Sequence, residues 1–151
     1  VVRRRPEPMA GAARVVGPDG LDGALAGADG LVLALALTPE TRGLVDRRRL
    51  DLLAEHACVV NVARGGHVVT DDLVAALQHG SIGAVGLDVT DPEPLPDGHP
   101  LWTLPGAVVT PHVGNTPEMA VPLLSARIVQ NLRRWAAGEP LLGPVDPELG
   151  Y

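Results

Sequence analysis

The chain has 151 residues, 46% of them hydrophobic, enough for one domain with a real core, and the length gives no reason to expect two. Its 12 basic and 18 acidic residues leave a net charge of -6, which argues against nucleic acid or an anionic membrane as partner. The single cysteine, Cys58, excludes a disulfide framework and suits a reducing, cytoplasmic setting, and no apolar run is long enough to span a bilayer.

Taken in order, Val1-Val2 before Arg3-Arg4-Arg5-Pro6 reads as the end of a strand already under way, and Ala13 to Val16 is a second short apolar run. Pro18-Asp19-Gly20 opens a short helix through Ala26, with Asp19 as its expected cap. Leu31 to Leu37 is an unbroken apolar run, the pattern of a central strand, and Thr38-Pro39-Glu40-Thr41 forms the loop after it. Helical spacing runs from Val45 to Leu53, where Arg47 to Arg49 read as a solvated face.

Cys58 to Val69 is the most informative stretch: an apolar strand, with Cys58 as a small buried hydrophobe, broken at its carboxyl end by Arg64-Gly65-Gly66. Thr70, Asp71 or Asp72 can cap a helix that runs to about Gln78 and stops at Gly80. Ala84 to Val89 is the next strand, with Asp88 near its end. The proline-rich loop Thr90 to Pro100 comes next, pinned by Trp102 and Leu104. Val108-Val109 is a last short strand before His112, and Met119, Leu123, Ile128, Leu132 and Trp135 mark a long amphipathic helix from about Pro117 to Ala137, ended by Gly138.

Strands alternating with helices predict an α/β fold with a doubly wound parallel sheet, Rossmann-like, whose ligand crevice lies outside the strand carboxyl ends. Three strand ends then present Arg64, Asp88 with Glu93 close behind, and His112. A guanidinium grips a carboxylate in bidentate fashion, a histidine exchanges a proton near neutral pH, and a carboxylate beside it stabilises the imidazolium. That set describes acid/base work on a carboxylated substrate; the plainer alternative makes Glu93 a turn residue and His112 a helix cap. His56, His67, His79 and His99 share no ligand spacing, so surface or helix-end roles suffice for them and no metal site is expected.

LALALTPETRGL, VVNVARGGHVVTDDLVAAL, GLDVTDPEPLPDGHPLW and VVTPHVGN, in this order and with similar separations, resemble the D-2-hydroxyacid dehydrogenases over nearly the whole chain. The resemblance implies that Arg64 orients the substrate carboxylate, that His112 exchanges a proton with the C2 oxygen, and that Glu93 holds His112. It places Asp88 against the nicotinamide carboxamide, Thr38 and Pro39 beside the adenosine-side loop, and Asn61, Val62 and Ala63 beneath the nicotinamide, with His112 and Gly114 also near the cofactor. Two departures leave these residues untouched: Ala36-Leu37-Thr38 stands where PLT is usual, and Val69-Thr70-Asp71 where Val-Asp-Glu is usual.

No GxGxxG loop occurs, although that turn cradles the pyrophosphate in a dinucleotide fold. The resemblance therefore implies the carboxyl-terminal part of such an enzyme, lacking the first strand, glycine loop and first helix, and inactive by itself. Residues 1–138 are expected to form a partial dinucleotide-binding domain with a long final helix, and 139–151 a tail returning toward a substrate domain. The complete enzyme would act on a small 2-keto or 2-hydroxy acid as a homodimer through its cofactor domain. An alternative from another class is a non-catalytic, dinucleotide-sensing module of the same fold or a truncated remnant. Arg3, Arg4 and Arg5 stand after the second strand, where an acidic residue would favour NAD; cations there favour the 2'-phosphate, so of NADP and NAD the first is the expected preference, the plainer alternative being solvated edge arginines beside a bound NAD.

Overall fold

The structure is a computed structural model that describes residues 1–148. Two compact units divide the chain, Val1–Thr110 and Pro111 onward. The first holds four parallel strands, β1 (Gly30–Leu33), β2 (Cys58–Asn61), β3 (Ala84–Leu87) and β4 (Ala107–Val109), side by side in chain order. Each step along the sheet is a crossover in which the intervening chain returns to the starting edge, as parallel pairing requires. Ahead of β1, a 3-10 turn, Pro18–Gly20, leads into α1 (Leu21–Leu25). Between β1 and β2 lies α2 (Arg47–Leu50), and between β2 and β3 lies α3 (Thr70–Gln78). This is the expected parallel α/β sheet of Rossmann-like, doubly wound type.

The register aligns Leu31, Val59, Val85 and Ala107 in one row and Leu33, Asn61, Leu87 and Val109 in another. Since successive strand residues point to opposite faces, these rows share one face. There Leu33, Val59, Val85 and Leu87 join Leu25, Leu50, Leu53, Leu73, Ala76 and Leu77 in an aliphatic core. On the opposite face Val32 and Val108 are exposed. Cys58 points that way too and is only partly buried, so it is less enclosed than its apolar run suggests.

Several elements are shorter than the apolar runs that announce them. β1 ends at Leu33, not Leu37, because the Leu33 carbonyl accepts the last ladder bond, from Val62 N–H at 3.2 Å, and the chain then bends into the Thr38–Thr41 turn. Val45 is not helical; it bridges Val68 in parallel, and α2 begins after Asp46, whose carboxylate accepts from Arg49 N–H at 3.0 Å. β3 likewise stops at Leu87, where Asp88 N–H donates to Asn61 O. Val2 and Val16 pair only as an isolated parallel bridge.

The expected caps are also corrected. Asp19 caps nothing: the 3-10 turn starts after Gly17 without a side-chain cap, and Gly20 precedes α1. No side chain caps α3 either, because Thr70 donates its hydroxyl to Asp91 O (2.6 Å) and Asp72 accepts from Arg47 N–H (2.9 Å), so both serve tertiary contacts. Arg47 to Arg49 do more than face solvent. Arg48 and Arg49 meet the Asp22 carboxylate at 2.7 and 2.9 Å, joining α1 to α2, and Arg47 meets Asp51 at 2.8 Å. The proline loop is anchored by buried Leu95 and Leu101; Trp102 is half exposed and donates its indole N–H to Pro96 O, while Leu104 packs at the core margin.

The second unit contains α4 (Pro117–Ala136), which begins after Thr116 and closes at Gly138 in the left-handed region, as the spacing predicts. The 140s segment returns along this helix: Leu142 exchanges hydrogen bonds with the Asn131 side chain at 2.8 and 3.1 Å. The end of the expected VDPELGY tail, residues 149–151, lies outside the described residues.

Candidate functional site

The strand tips of the first unit end level, because Leu33, Asn61, Leu87 and Val109 form one row. The segments leaving the four tips therefore meet at one edge of the sheet. β1 gives way to the loop carrying Thr38, β2 to Val62-Ala63-Arg64, β3 to Asp88, and β4 to Thr110.

The turn after β2 is built from the inside. Asn61 is 1% exposed, and its side chain donates to Arg64 O at 2.9 Å and accepts from Ala63 N–H at 3.0 Å. An Asn side chain can imitate a backbone strand in this way and so define the turn. Ala63 is buried, Val62 is half exposed, and Arg64 is exposed with extended backbone, its Nη1 donating to Ala63 O at 2.7 Å. Of the three residues expected beneath the nicotinamide, Val62 alone offers an accessible side chain, while Asn61 shapes the turn.

Gly65 is required by close approach, and Gly66 is tightly surrounded. A Cβ on Gly65 would lie 2.0 Å from the carbonyl of Thr90 and 2.6 Å from Asp91 N, and one on Gly66 would meet Arg42 Nη1 at 3.0 Å. The turn that carries Arg64 is thus packed directly on the first residues of the loop that carries Glu93. Thr70 binds the Asp91 carbonyl, and Arg42 faces the Asp91 carboxylate at 3.8 Å, which adds two further ties to that loop. Within the loop, Glu93 Oε2 accepts from Thr90 N–H at 3.2 Å, and both Asp91–Pro92 and Glu93–Pro94 are cis.

Asp88 is partly buried at the tip of β3 and accepts from the Thr110 hydroxyl at 2.6 Å, so the end of β4 orients its carboxylate. Thr38 is buried; its N–H donates to the Thr41 hydroxyl at 2.8 Å, and its carbonyl accepts from Thr41 and Arg42. Pro39 is exposed beside it. The Thr38 hydroxyl, with Glu40's own backbone, holds the Glu40 carboxyl below its ordinary range. Arg3, Arg4 and Arg5 are all exposed, with Arg3 N–H donating to Val16 O just past the Val2 bridge. His112 and Gly114 belong to the second unit, where His112 is exposed and sits at φ 55°, a conformation uncommon for a residue other than glycine.

Sequence reasoning misses His67. Its spacing suggests a surface or helix-end role, yet it is fully buried, with both ring nitrogens facing backbone carbonyls. Its neighbours Val68 and Gly66 carry no polar pattern that marks burial, so only the tertiary packing of the turn reveals it. The other three do occupy the margins: His56 meets Asp29, His79 meets Ala75 O, and His99 accepts from Leu101 N–H. Among the described residues no group of three His, Cys, Asp or Glu side chains is placed to hold a metal ion, and no helix is long and apolar enough to cross a membrane.

A parallel α/β sheet whose level strand tips carry an arginine turn and an oriented aspartate has the architecture of the Rossmann-like class, whose ligands bind outside the strand carboxyl ends. Residues 1–114 match the family described as D-isomer specific 2-hydroxyacid dehydrogenase, NAD binding domain, and the chain belongs to that family. Among curated relatives, a glyoxylate/hydroxypyruvate reductase A of Photorhabdus laumondii is 40% identical over 89% of this chain and 42% of its own length. A D-isomer specific 2-hydroxyacid dehydrogenase from Xanthobacter autotrophicus, solved with NADPH and MES, is 44% identical with a TM-score of 0.87, covering 99% of this chain and 61% of its own. An NADPH-dependent glyoxylate/hydroxypyruvate reductase from Sinorhizobium meliloti, solved with NADP and sulfate, is 32% identical with a TM-score of 0.90, covering 99% of this chain and 48% of its own. The chain spans about half the length of the curated relatives it matches.

Proposed function

We propose that the protein to which this chain belongs is an oxidoreductase that interconverts a small 2-keto acid and its 2-hydroxy acid with a nicotinamide cofactor, and that it prefers NADPH. The observation that carries this reading is the arginine turn. Buried Asn61 fixes it and the 90–91 backbone flanks it, so that an exposed guanidinium stands at the sheet edge where such folds bind ligands. Arg64 grips the substrate carboxylate there, which orients C2 and its oxygen. His112 supplies the proton that the C2 oxygen takes up on reduction and removes it on oxidation, and Glu93 holds the imidazole and stabilises its protonated form.

The residues present fit the nicotinamide and adenosine ends of a bound dinucleotide, with no glycine turn for its pyrophosphate among them. Val62 offers an apolar surface at the tip of β2, Asp88 a preoriented acceptor for a carboxamide N–H, and Thr38 and Pro39 a fixed loop toward the adenosine side. Gly114 leaves the backbone beside His112 free of a side chain. Arg3 and Arg4, exposed past the Val2 bridge, supply cationic donors to a 2'-phosphate. The reduced nicotinamide, when bound, supplies hydride to C2. The domain boundary at 138, the 139–151 return segment and a homodimer through the cofactor domain are part of the same proposal.

Glyoxylate, hydroxypyruvate and 2-ketobutyrate, assayed with NADPH and NADH in the full-length protein, test the reading. Turnover of at least one acid is expected, with a higher kcat/KM for NADPH that an Arg3→Asp substitution reverses. Equal or better use of NADH by the parent would refute the cofactor assignment, and no turnover of any 2-keto acid would refute the enzyme.

A further inference from the structure

His67 is a buried ionisable side chain that the proposed chemistry leaves without a task. It closes the 3-10 turn Gly65–His67 and is fully buried. Its Nδ1 lies 2.8 Å from Arg64 O and its Nε2 lies 3.2 Å from Ala36 O, so one ring spans two backbone carbonyls from different loops. The shorter distance assigns a proton to Nδ1, which donates to Arg64 O. Asn61 Nδ2 donates to the same oxygen at 2.9 Å and the backbone N–H of His67 at 3.3 Å, so the ring makes the shortest of three contacts that converge on the Arg64 carbonyl. The Ala36 carbonyl accepts the Thr41 hydroxyl at 2.9 Å, and that hydroxyl in turn accepts Thr38 N–H. With its one proton on Nδ1, the imidazole bonds the turn that presents Arg64, while Nε2 only packs against the Ala36 carbonyl of the neighbouring loop.

We propose that His67 is a positioning residue for substrate binding: it fixes the Arg64 peptide, and through it the line along which the guanidinium leaves the sheet edge. The inference rests on the reading that Arg64 meets the substrate carboxylate. Arg64 itself is exposed, and its guanidinium is bonded to the carbonyl of its own preceding residue, so the backbone rather than side-chain packing sets its aim. A 1 Å misplacement of a binding group can cost on the order of 100-fold in rate, which makes the orientation of this peptide consequential. An apolar side chain of similar size would fill the space yet remove the shortest of the three contacts that hold this carbonyl, leaving Asn61 and the backbone N–H of residue 67 to fix it alone. His67 acts only through Arg64 and touches no reacting atom.

The test compares full-length parent, His67→Leu and His67→Asn, measuring KM and kcat for the 2-keto acid and Kd for NADPH. An asparagine amide nitrogen can occupy the place of Nδ1, so His67→Asn retains the bond to Arg64 O while His67→Leu removes it. The expected result is a KM at least tenfold higher in His67→Leu with the NADPH Kd within threefold of the parent, and a KM restored to within threefold in His67→Asn. An unchanged KM in His67→Leu, a parallel loss of cofactor affinity, or failure of His67→Asn to restore KM overturns the proposal. Should His67→Leu not fold, the ring nitrogen-15 spectrum of the parent decides: a slowly exchanging proton on Nδ1 supports the clamp, and an unprotonated Nδ1 overturns it. A parent that turns over no 2-keto acid refutes the dehydrogenase reading, whereas the same spectrum still decides whether His67 grips the Arg64 carbonyl.

Discussion

At the scale of single residues, Arg64 and His112 divide the proposed chemistry into binding and proton transfer. Arg64 stands on a turn fixed by buried groups, while His112 holds a left-handed backbone conformation in the second unit that is uncommon outside glycine. If His112 is the proton donor to the C2 oxygen, His112→Asn in the full-length protein lowers kcat by roughly 100- to 10,000-fold, the range for loss of a general acid/base, with KM little changed. Steady-state kinetics check this, and an unchanged kcat would return His112 to a capping role. Both residues are legible in the sequence because each comes after an apolar strand and belongs to a recognisable motif. His67 is not, since it is buried against a segment distant in sequence, its Nε2 facing the Ala36 carbonyl 31 residues earlier.

At the scale of elements, local pattern locates the strands and tertiary contacts set their lengths. The runs Leu31–Leu37 and Ala84–Val89 read as continuous strands because buried parallel strands are apolar throughout. The ladder ends earlier, at Leu33 and Leu87, where the backbone leaves the sheet level to form the site loops. Acidic side chains are harder to place from sequence than apolar ones. Asp19 sits in a capping pattern and caps nothing, whereas Asp22 joins two helices by accepting from Arg48 and Arg49. Those hydrogen bonds, Arg48 first and then Arg49, lower the Asp22 carboxyl from its usual 3.8 to about 2. A carboxyl depressed on folding contributes stability that is complete above its unfolded value and lost as pH falls through its folded one. The α1–α2 link therefore weakens from about pH 4 down to about pH 2. Unfolding midpoints of the full-length parent and Asp22→Asn, measured across that range, are expected to differ above pH 4 and to converge near pH 2. A constant difference would show that Asp22 acts other than through its charge.

At the scale of the whole molecule, this chain supplies the sheet edge, the arginine turn and the loops at the strand tips, and it spans about half the length of its curated relatives. The parallel sheet is legible from alternation alone, since apolar runs separated by helical spacing leave few other topologies. How the second unit is placed on the first is not a local property of the sequence, and neither is the substrate pocket's side-chain selectivity. On the proposed assignment, in which Arg64 meets the acid and Arg3, Thr38 and Asp88 meet the dinucleotide, substrate and cofactor affinity should separate cleanly. Hydrogen bonds to charged groups contribute about 1.5–3 kcal/mol, equivalent to ~10- to 150-fold in affinity. The most direct measurement is the KM for glyoxylate or hydroxypyruvate beside the Kd for NADPH in the full-length parent and in Arg64→Ala. A KM raised by that factor, a slower turnover and an NADPH Kd within threefold of the parent are expected; an unchanged KM, or a cofactor affinity that falls with it, would contradict the assignment of Arg64.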